Sequence, residues 1–184
     1  MGIEKVQLGD IIGYRSYDLA GILVMLGEII SAPKLGSEYS FTHVAIVSGI
    51  DSANNRLQIT EAISEGVKSK MISELPKKSV VKRLNGIQKE HQLAIAAKCI
   101  DLASQGIKYN WLQLIWLGLT KILRLEFIGN IFNSKKATIC SMFIGRVMHE
   151  TSTFVFKEYL NGNLDPKDIM TEPNFSIVAK GIGA

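Results

Sequence analysis

The chain has 184 residues, of which 47% are hydrophobic and 21% charged. No stretch rich in Ser, Pro or charge is long enough for a linker or a disordered tail, so we expect one compact domain over residues 1–184. The net charge is +4, but the 21 basic residues are interspersed with 17 acidic ones and form no long block. This pattern argues against nucleic acid as a partner.

The N-terminal segment MGIEKVQLGD contains no apolar run before a small-residue cleavage site, so no secretion signal is expected. The longest apolar segments, residues 19–32 and 111–125, are interrupted by Glu28 and Lys121 and are too short for a transmembrane segment. We therefore expect a protein that is cytoplasmic as synthesised. Release by lysis or by a dedicated secretion system stays open, because neither route needs a cleavable signal.

The first predicted element is a strand over residues 6–14, in which Gly9 and Asp10 form the entry turn. Asp18 then begins a predicted helix, because apolar residues recur at spacings of three and four until Pro33 ends the pattern. The chain is therefore expected to begin with one strand and one helix.

The clearest strand covers residues 42–48, whose sequence THVAIVS is apolar on both faces and predicts a central strand covered on both sides. Residues 51–55 have the composition of a hairpin loop. The strand over residues 56–62 should therefore return antiparallel beside the first one. That pairing would bring Glu61 near His43.

The second half of the chain predicts further strands, three helices and a closing strand. Antiparallel strands in the middle, with helices before and after them, indicate an α+β architecture. The predicted strands cover residues 66–69, 79–84 and 175–179, the predicted helices cover residues 88–105, 111–127 and 137–150, and residues 164–169 form a turn that leads into a short segment.

The two cysteines occupy different settings. Cys140 falls in the first turn of the third helix, with Thr138 as its N-cap, and there the helix dipole and free N–H groups favour a thiolate and can hold an oxyanion. Cys99 lies in an apolar helical stripe and has the setting of an inert core residue. For Cys140 the alternative of a small buried hydrophobe stays open. The inward stripe of its helix consists of Ile139, Met142, Phe143 and Val147.

His43 lies within an apolar strand, where an imidazole needs hydrogen-bond partners for its nitrogens. It is either a satisfied core histidine or a general base. Glu61 either emerges into water or orients the imidazole, as the third member of a triad does. The three histidines, at positions 43, 91 and 149, show no metal-ligand spacing, so neither a metal nor another cofactor is expected.

Taken in order, the motifs resemble the permuted NlpC/P60 papain-like families, particularly the YiiX/YaeF-like amidases. The resemblance implies a circularly permuted papain-like (NlpC/P60) α+β fold, with a central antiparallel sheet packed with helices. It also implies a triad of Cys140 as nucleophile, His43 as base and Glu61 as orienting residue. The motifs are Gly9-Asp10-Ile11-Ile12, then Thr42-His43-Val44-Ala45-Ile46-Val47, then Thr60-Glu61-Ala62 with Gly66-Val67, then Cys140-Ser141, and finally Asp165-Pro166-Lys167-Asp168-Ile169.

The implied activity is that of a cysteine peptidase or amidase acting on an amide bond of a peptidoglycan stem peptide or a related amino-acid amide. One departure is the run Met142-Phe143-Ile144, where the family has an acid followed by an aliphatic pair. Two alternatives remain: a lipid ester or thioester hydrolase or acyltransferase with the same triad, and a non-catalytic binding module. The exact bond, the oligomeric state and the second oxyanion donor, for which Tyr14 and Tyr109 are candidates, stay open.

Overall fold

The structure, a computed structural model, describes residues 3–16, 41–122 and 136–183. The helix predicted to begin at Asp18 lies outside these residues, as does the end of the one predicted over residues 111–127. The strands are β1 (Ile11–Tyr14), β2 (His43–Asp51), β3 (Arg56–Ile63), β4 (Gly66–Ile72), β5 (Val80–Leu84), β6 (Lys108–Tyr109), β7 (Ala137–Thr138) and β8 (Phe175–Lys180). The helices are a 3₁₀ turn (Ile3–Lys5), α1 (Lys89–Ser104), α2 (Trp111–Ile122), α3 (Cys140–Glu150), α4 (Lys157–Leu160) and α5 (Pro166–Thr171).

Six of the strands form one antiparallel sheet in the order β4-β3-β2-β1-β5-β8. The predicted hairpin is confirmed, since β2 and β3 pair in antiparallel register with Asp51 opposite Arg56 at the turn. An antiparallel sheet packed with helices confirms the predicted α+β class. No helix in the described part of the chain combines the length and the apolar character that crossing a membrane requires.

The central strand β2 is covered on both faces, as its apolar sequence predicts. Val44 and Ile46 belong to a core that includes side chains of α1, α2 and α3. Ala45 and Val47 belong to a second core on the other face, where Ile3 is one of the covering residues. Alternate residues of a strand point to opposite faces, so one strand joins both cores. His43 is the first residue of this strand.

The turn before β1 is a structural anchor, and it shortens the predicted strand over residues 6–14 to one that begins at Ile11. Gly9 has φ +81°, which favours glycine and ends the extended conformation. The buried Asp10 carboxylate accepts hydrogen bonds from Gln7 N (2.8 Å) and from Arg83 Nε and Nη2 (2.7 and 2.8 Å). This bidentate pair ties the entry of β1 to β5.

The predicted helix over residues 137–150 begins later, and the assignment of Thr138 as its N-cap is wrong. Residues 137–138 form β7, which pairs in parallel with β6 and so stays extended. Ile139 is the N-cap residue, and the Thr138 hydroxyl donates to Ile139 O (3.2 Å). Helix α3 therefore begins at Cys140. Its predicted inward stripe is confirmed, since all four of its side chains are buried.

The segment predicted as a turn over residues 164–169 is largely helical. Asp165 caps α5 by accepting a hydrogen bond from Asp168 N (2.7 Å), while the Asp168 carboxylate accepts one from Asp165 N (3.0 Å). Pro166 occupies the first turn, where its missing N–H costs nothing. Asp-Pro-x-Asp is thus a capping box rather than an isolated turn.

Candidate active site

Cys140 is the first residue of α3 and is only 3% exposed. No side chain caps the helix, so the N–H groups of its first turn are free of side-chain caps at the end where the helix dipole is positive. The next residue, Ser141, is buried and donates a hydrogen bond to Leu164 O (2.6 Å). This bond fixes the start of the helix against the segment that leads into α5.

His43 is the first residue of β2 and is 5% exposed. Its Nε2 lies 3.0 Å from Glu61 Oε2, which leaves Nδ1 as the ring nitrogen available to Cys140. Burial alone lowers the pKa of His43. Coulombic and hydrogen-bonding interactions with Cys140, and then with Glu61, outweigh burial and raise the pKa to about 10. The surroundings of this histidine therefore favour its protonated form, the imidazolium.

Glu61, on β3, is 1% exposed, and both of its carboxylate oxygens have partners. Oε2 interacts with His43 and also accepts a hydrogen bond from the Tyr14 hydroxyl (2.5 Å). Oε1 lies 2.6 Å from Lys70 Nζ. Burial raises the pKa of Glu61, but His43, Lys70 and Tyr14 together outweigh burial and lower the pKa to about 2. The structure therefore holds Glu61 as a buried carboxylate.

Tyr14 contacts both members of the His43–Glu61 pair. Its hydroxyl bonds Glu61, and its ring packs edge-on against the His43 ring with centroids 5.0 Å apart. The sequence marks Tyr14 as a candidate oxyanion donor or a packing residue and gives no sign of this contact with Glu61. The signal for this contact lies in the sheet register, because Tyr14 is directly opposite His43. Tyr109, the other tyrosine considered, packs edge-on against Trp111.

Lys70 is the residue that the sequence reasoning missed. The strand predicted over residues 66–69 ends before it, whereas β4 continues to Ile72. Lys70 is directly opposite Ile59 in β3, two residues from Glu61 and on the same face. A longer strand, paired through the short turn after β3, would have placed a cation beside the buried carboxylate.

The second cysteine lies elsewhere. Cys99 is fully buried in α1 among core side chains, and burial raises the pKa of its thiol well above the ordinary value. This setting agrees with the prediction of an inert core residue. The two thiols therefore differ in their surroundings, and Cys140 is the one with a histidine partner.

The fold is similar to that of a known protein structure. No model of a protein family matches the chain, and no curated protein matches it. A solved structure, described as metalloprotein YiiX from Escherichia coli O157:H7, DUF1105, is similar with a TM-score of 0.61. The chain has a YiiX-like fold. The two sequences are 14% identical, and the match covers 97% of this chain and 99% of that one, so the likeness extends over the whole architecture.

The description of YiiX as a metalloprotein makes metal binding a question for the corresponding residues here. Within residues 3–16, 41–122 and 136–183, no group of three or more His, Cys, Asp or Glu residues is arranged to hold a metal ion. The carboxylate of the candidate site already has the Lys70 ammonium 2.6 Å from one oxygen and two donors on the other. These residues therefore do not fit a metal-binding role.

Proposed function

We propose that the chain is a cysteine hydrolase that cleaves an amide bond, with Cys140 as nucleophile, His43 as acid and base, and Glu61 as orienting residue. One observation carries the proposal: the buried His43 ring interacts with Glu61 through Nε2 and with the cysteine at the start of α3. The chain order of histidine, carboxylate and cysteine supports a circularly permuted papain-like (NlpC/P60) catalytic domain over residues 1–184.

The proposed reaction begins with attack of the Cys140 thiolate on the amide carbonyl carbon, which forms a tetrahedral oxyanion. The backbone N–H of Cys140 supplies part of the oxyanion hole, because it lies in the uncapped first turn of α3. The His43 imidazolium then donates its proton to the nitrogen as the C–N bond breaks, and the amine leaves. An acyl-thioester remains on the sulfur.

Hydrolysis of the acyl-enzyme completes the cycle. Neutral His43 accepts a proton from water, and the resulting hydroxide attacks the thioester carbonyl carbon. Collapse of the second tetrahedral intermediate expels the Cys140 thiolate and releases a carboxylic acid. Glu61 keeps the imidazole in one orientation throughout and stabilises the imidazolium, which is the role of the third residue in such triads.

The resemblance of the motifs to YiiX/YaeF-like amidases supports a peptidoglycan stem peptide, or a related amino-acid amide, as the substrate. In this proposal the chain needs no cofactor, because thiolate, imidazole and carboxylate account for every proton and bond in the cycle. The partner is then a cell-wall fragment or a peptide rather than nucleic acid.

A lipid ester is the second candidate substrate, and α2 supplies the observation that favours it. Leu112, Ile115 and Leu119 are 59%, 50% and 45% exposed on this helix, at spacings that place them along one side. The helix begins next to the cysteine, because Asn110 N donates to Thr138 O (2.9 Å) just before α3. An apolar surface at this position suits acyl chains.

Thiol labelling together with product analysis tests the proposal and separates the two substrates. The protein and its Cys140→Ala variant are incubated with a thiol-directed activity probe, with muropeptides and with phospholipid vesicles. We expect labelling and muropeptide cleavage by the parent and neither by the variant, with Cys99→Ala as the matched control that retains both. Labelling of Cys99 but not of Cys140 would contradict the proposal. Cleavage of lipid alone would replace the amide substrate with the ester.

A further inference from the structure

We propose that Lys70 is a positioning residue of this site, which holds Glu61 in place and balances its charge; the inference rests on the proposed function. Neither the motifs nor the triad include this residue. Lys70 is on the edge strand β4, and its side chain is 54% exposed, while the carboxylate that it pairs with is 1% exposed. One side chain thus connects the buried site with the surface.

The three residues of the proposed triad leave one negative charge unbalanced in the buried site. A thiolate, an imidazolium and a carboxylate together carry one net negative charge, and burying a net charge is costly. The Lys70 ammonium, 2.6 Å from Glu61 Oε1, brings the sum to zero. The remaining oxygen is then free to bond His43 and Tyr14. Because Lys70 pairs with one oxygen of the Glu61 carboxylate, the carboxylate stays ionised. The other oxygen holds His43 in the orientation in which it interacts with Cys140.

The neighbouring lysine on the same strand provides a matched comparison. Lys68 is directly opposite Glu61 in the sheet register and is exposed, yet the ion pair with Glu61 is made by Lys70. The two lysines share charge, strand and face, and differ in contact with the carboxylate. Among the described residues, the titratable groups that interact with Glu61 are Tyr14 from β1, His43 from β2 and Lys70 from β4, with Cys140 beyond His43.

Loss of the Lys70 charge should shift the pH at which Cys140 becomes reactive. Removal of a nearby cation disfavours every negative group around it, so the thiolate forms only at higher pH. Lys70 acts on the sulfur through Glu61 and His43. At the effective dielectric of a partly buried site, a unit charge about 10 Å from a titrating group changes its pKa by about one unit. A role limited to the folding of β4 would leave this pH unchanged.

The experiment is the pH dependence of Cys140 alkylation by iodoacetamide, in a Cys99→Ala background with folding checked by thermal unfolding. We expect Lys70→Met to move the inflection upward by about one pH unit, Lys70→Arg to restore it, and Lys68→Met to leave it in place. In a Glu61→Gln background, Lys70→Met should have at most a small effect, since the carboxylate no longer holds the ammonium.

Two results would overturn the inference: an unchanged inflection in Lys70→Met, or an equal shift in Lys68→Met. Either can occur while the parent Cys140 reacts at low pH, in which case the proposed function survives. A parent Cys140 that reacts no more readily than an ordinary thiol would overturn the proposed function itself, and the role of Lys70 with it. The two failures are therefore distinguishable.

Discussion

Replacement of Tyr14 by Phe removes the hydrogen bond that the Tyr14 hydroxyl donates to Glu61 and keeps the aromatic ring. The hydroxyl donates to Glu61 Oε2 at 2.5 Å, whereas the ring packs against His43 with centroids 5.0 Å apart. Phe retains the ring contact. Tyr14→Phe therefore isolates the contribution of the hydroxyl to holding a buried carboxylate.

The size of the effect follows from the charge of the acceptor. A hydrogen bond to a charged group contributes about 1.5–3 kcal/mol, and loss of a donor to a buried acceptor costs at least as much as the bond contributes. Glu61 retains His43 and Lys70 as partners, so we expect the low end, about 1.5 kcal/mol. The same free energy in the transition state would lower kcat/KM roughly tenfold.

Urea unfolding at neutral pH measures the loss of stability, and hydrolysis of the amide substrate measures the loss of activity. Tyr159→Phe is the control, because the Tyr159 ring contacts His149 on the surface side of α3 and no hydrogen bond of its hydroxyl is found among the described residues. A free energy of unfolding for Tyr14→Phe within about 0.5 kcal/mol of the parent, as expected for surface substitutions, would refute this reasoning.

Three further predictions concern stability. Arg83→Met leaves the buried Asp10 carboxylate without its bidentate partner and should cost about 3–5 kcal/mol in urea unfolding. Ser141→Ala removes the donor to Leu164 O and should cost about 1–3 kcal/mol, with a slower Cys140 reaction, since the bond fixes the start of α3. The pKa of His43 is raised to about 10, so its contribution to stability is complete below its ordinary value of 6.5 and is lost as pH rises through about 10.

Each of these predictions has a matched control. Arg56→Met breaks an exposed pair with Asp51 and should cost much less than Arg83→Met, so an equal effect of both arginine variants would contradict the role of burial. For the serine, Ser141→Cys retains a weak donor and should fall between parent and alanine. For the histidine, a His43→Gln variant should show a flatter decline in stability at alkaline pH than the parent. Identical pH profiles would contradict the predicted loss of stability as His43 loses its proton.

The two neighbouring strands and the proximity of His43 and Glu61 could be predicted from the sequence, because they depend on patterns of residues that are close together in the chain. A β-branched apolar run predicts a buried strand, and turn residues at positions 51–55 predict its return, so the proximity of Glu61 to His43 followed from pairing. The structure places these two side chains 3.0 Å apart. The position of Cys140 in a first turn followed from helical periodicity.

Three features depended on the pairing of strands or side chains and were missed or wrong. Thr138 is a residue type that commonly caps helices, but pairing with β6 holds it in a strand, so the helix begins at Cys140, three residues after the predicted start. In the sequence, Lys70 looks like an ordinary surface charge. Only the register between β3 and β4 shows that it lies beside Glu61. Asp10 reads as part of an entry turn, and its partner Arg83 is 73 residues away.

The central claim is that Cys140 is a nucleophile activated by His43, and the most direct measurement is the rate of Cys140 alkylation as a function of pH in the parent and in His43→Gln. The account predicts a parent thiol that reacts at a pH well below that of an ordinary cysteine, and a variant that has lost this low-pH reactivity. Equal profiles for the two proteins, or alkylation that is confined to Cys99, would contradict it.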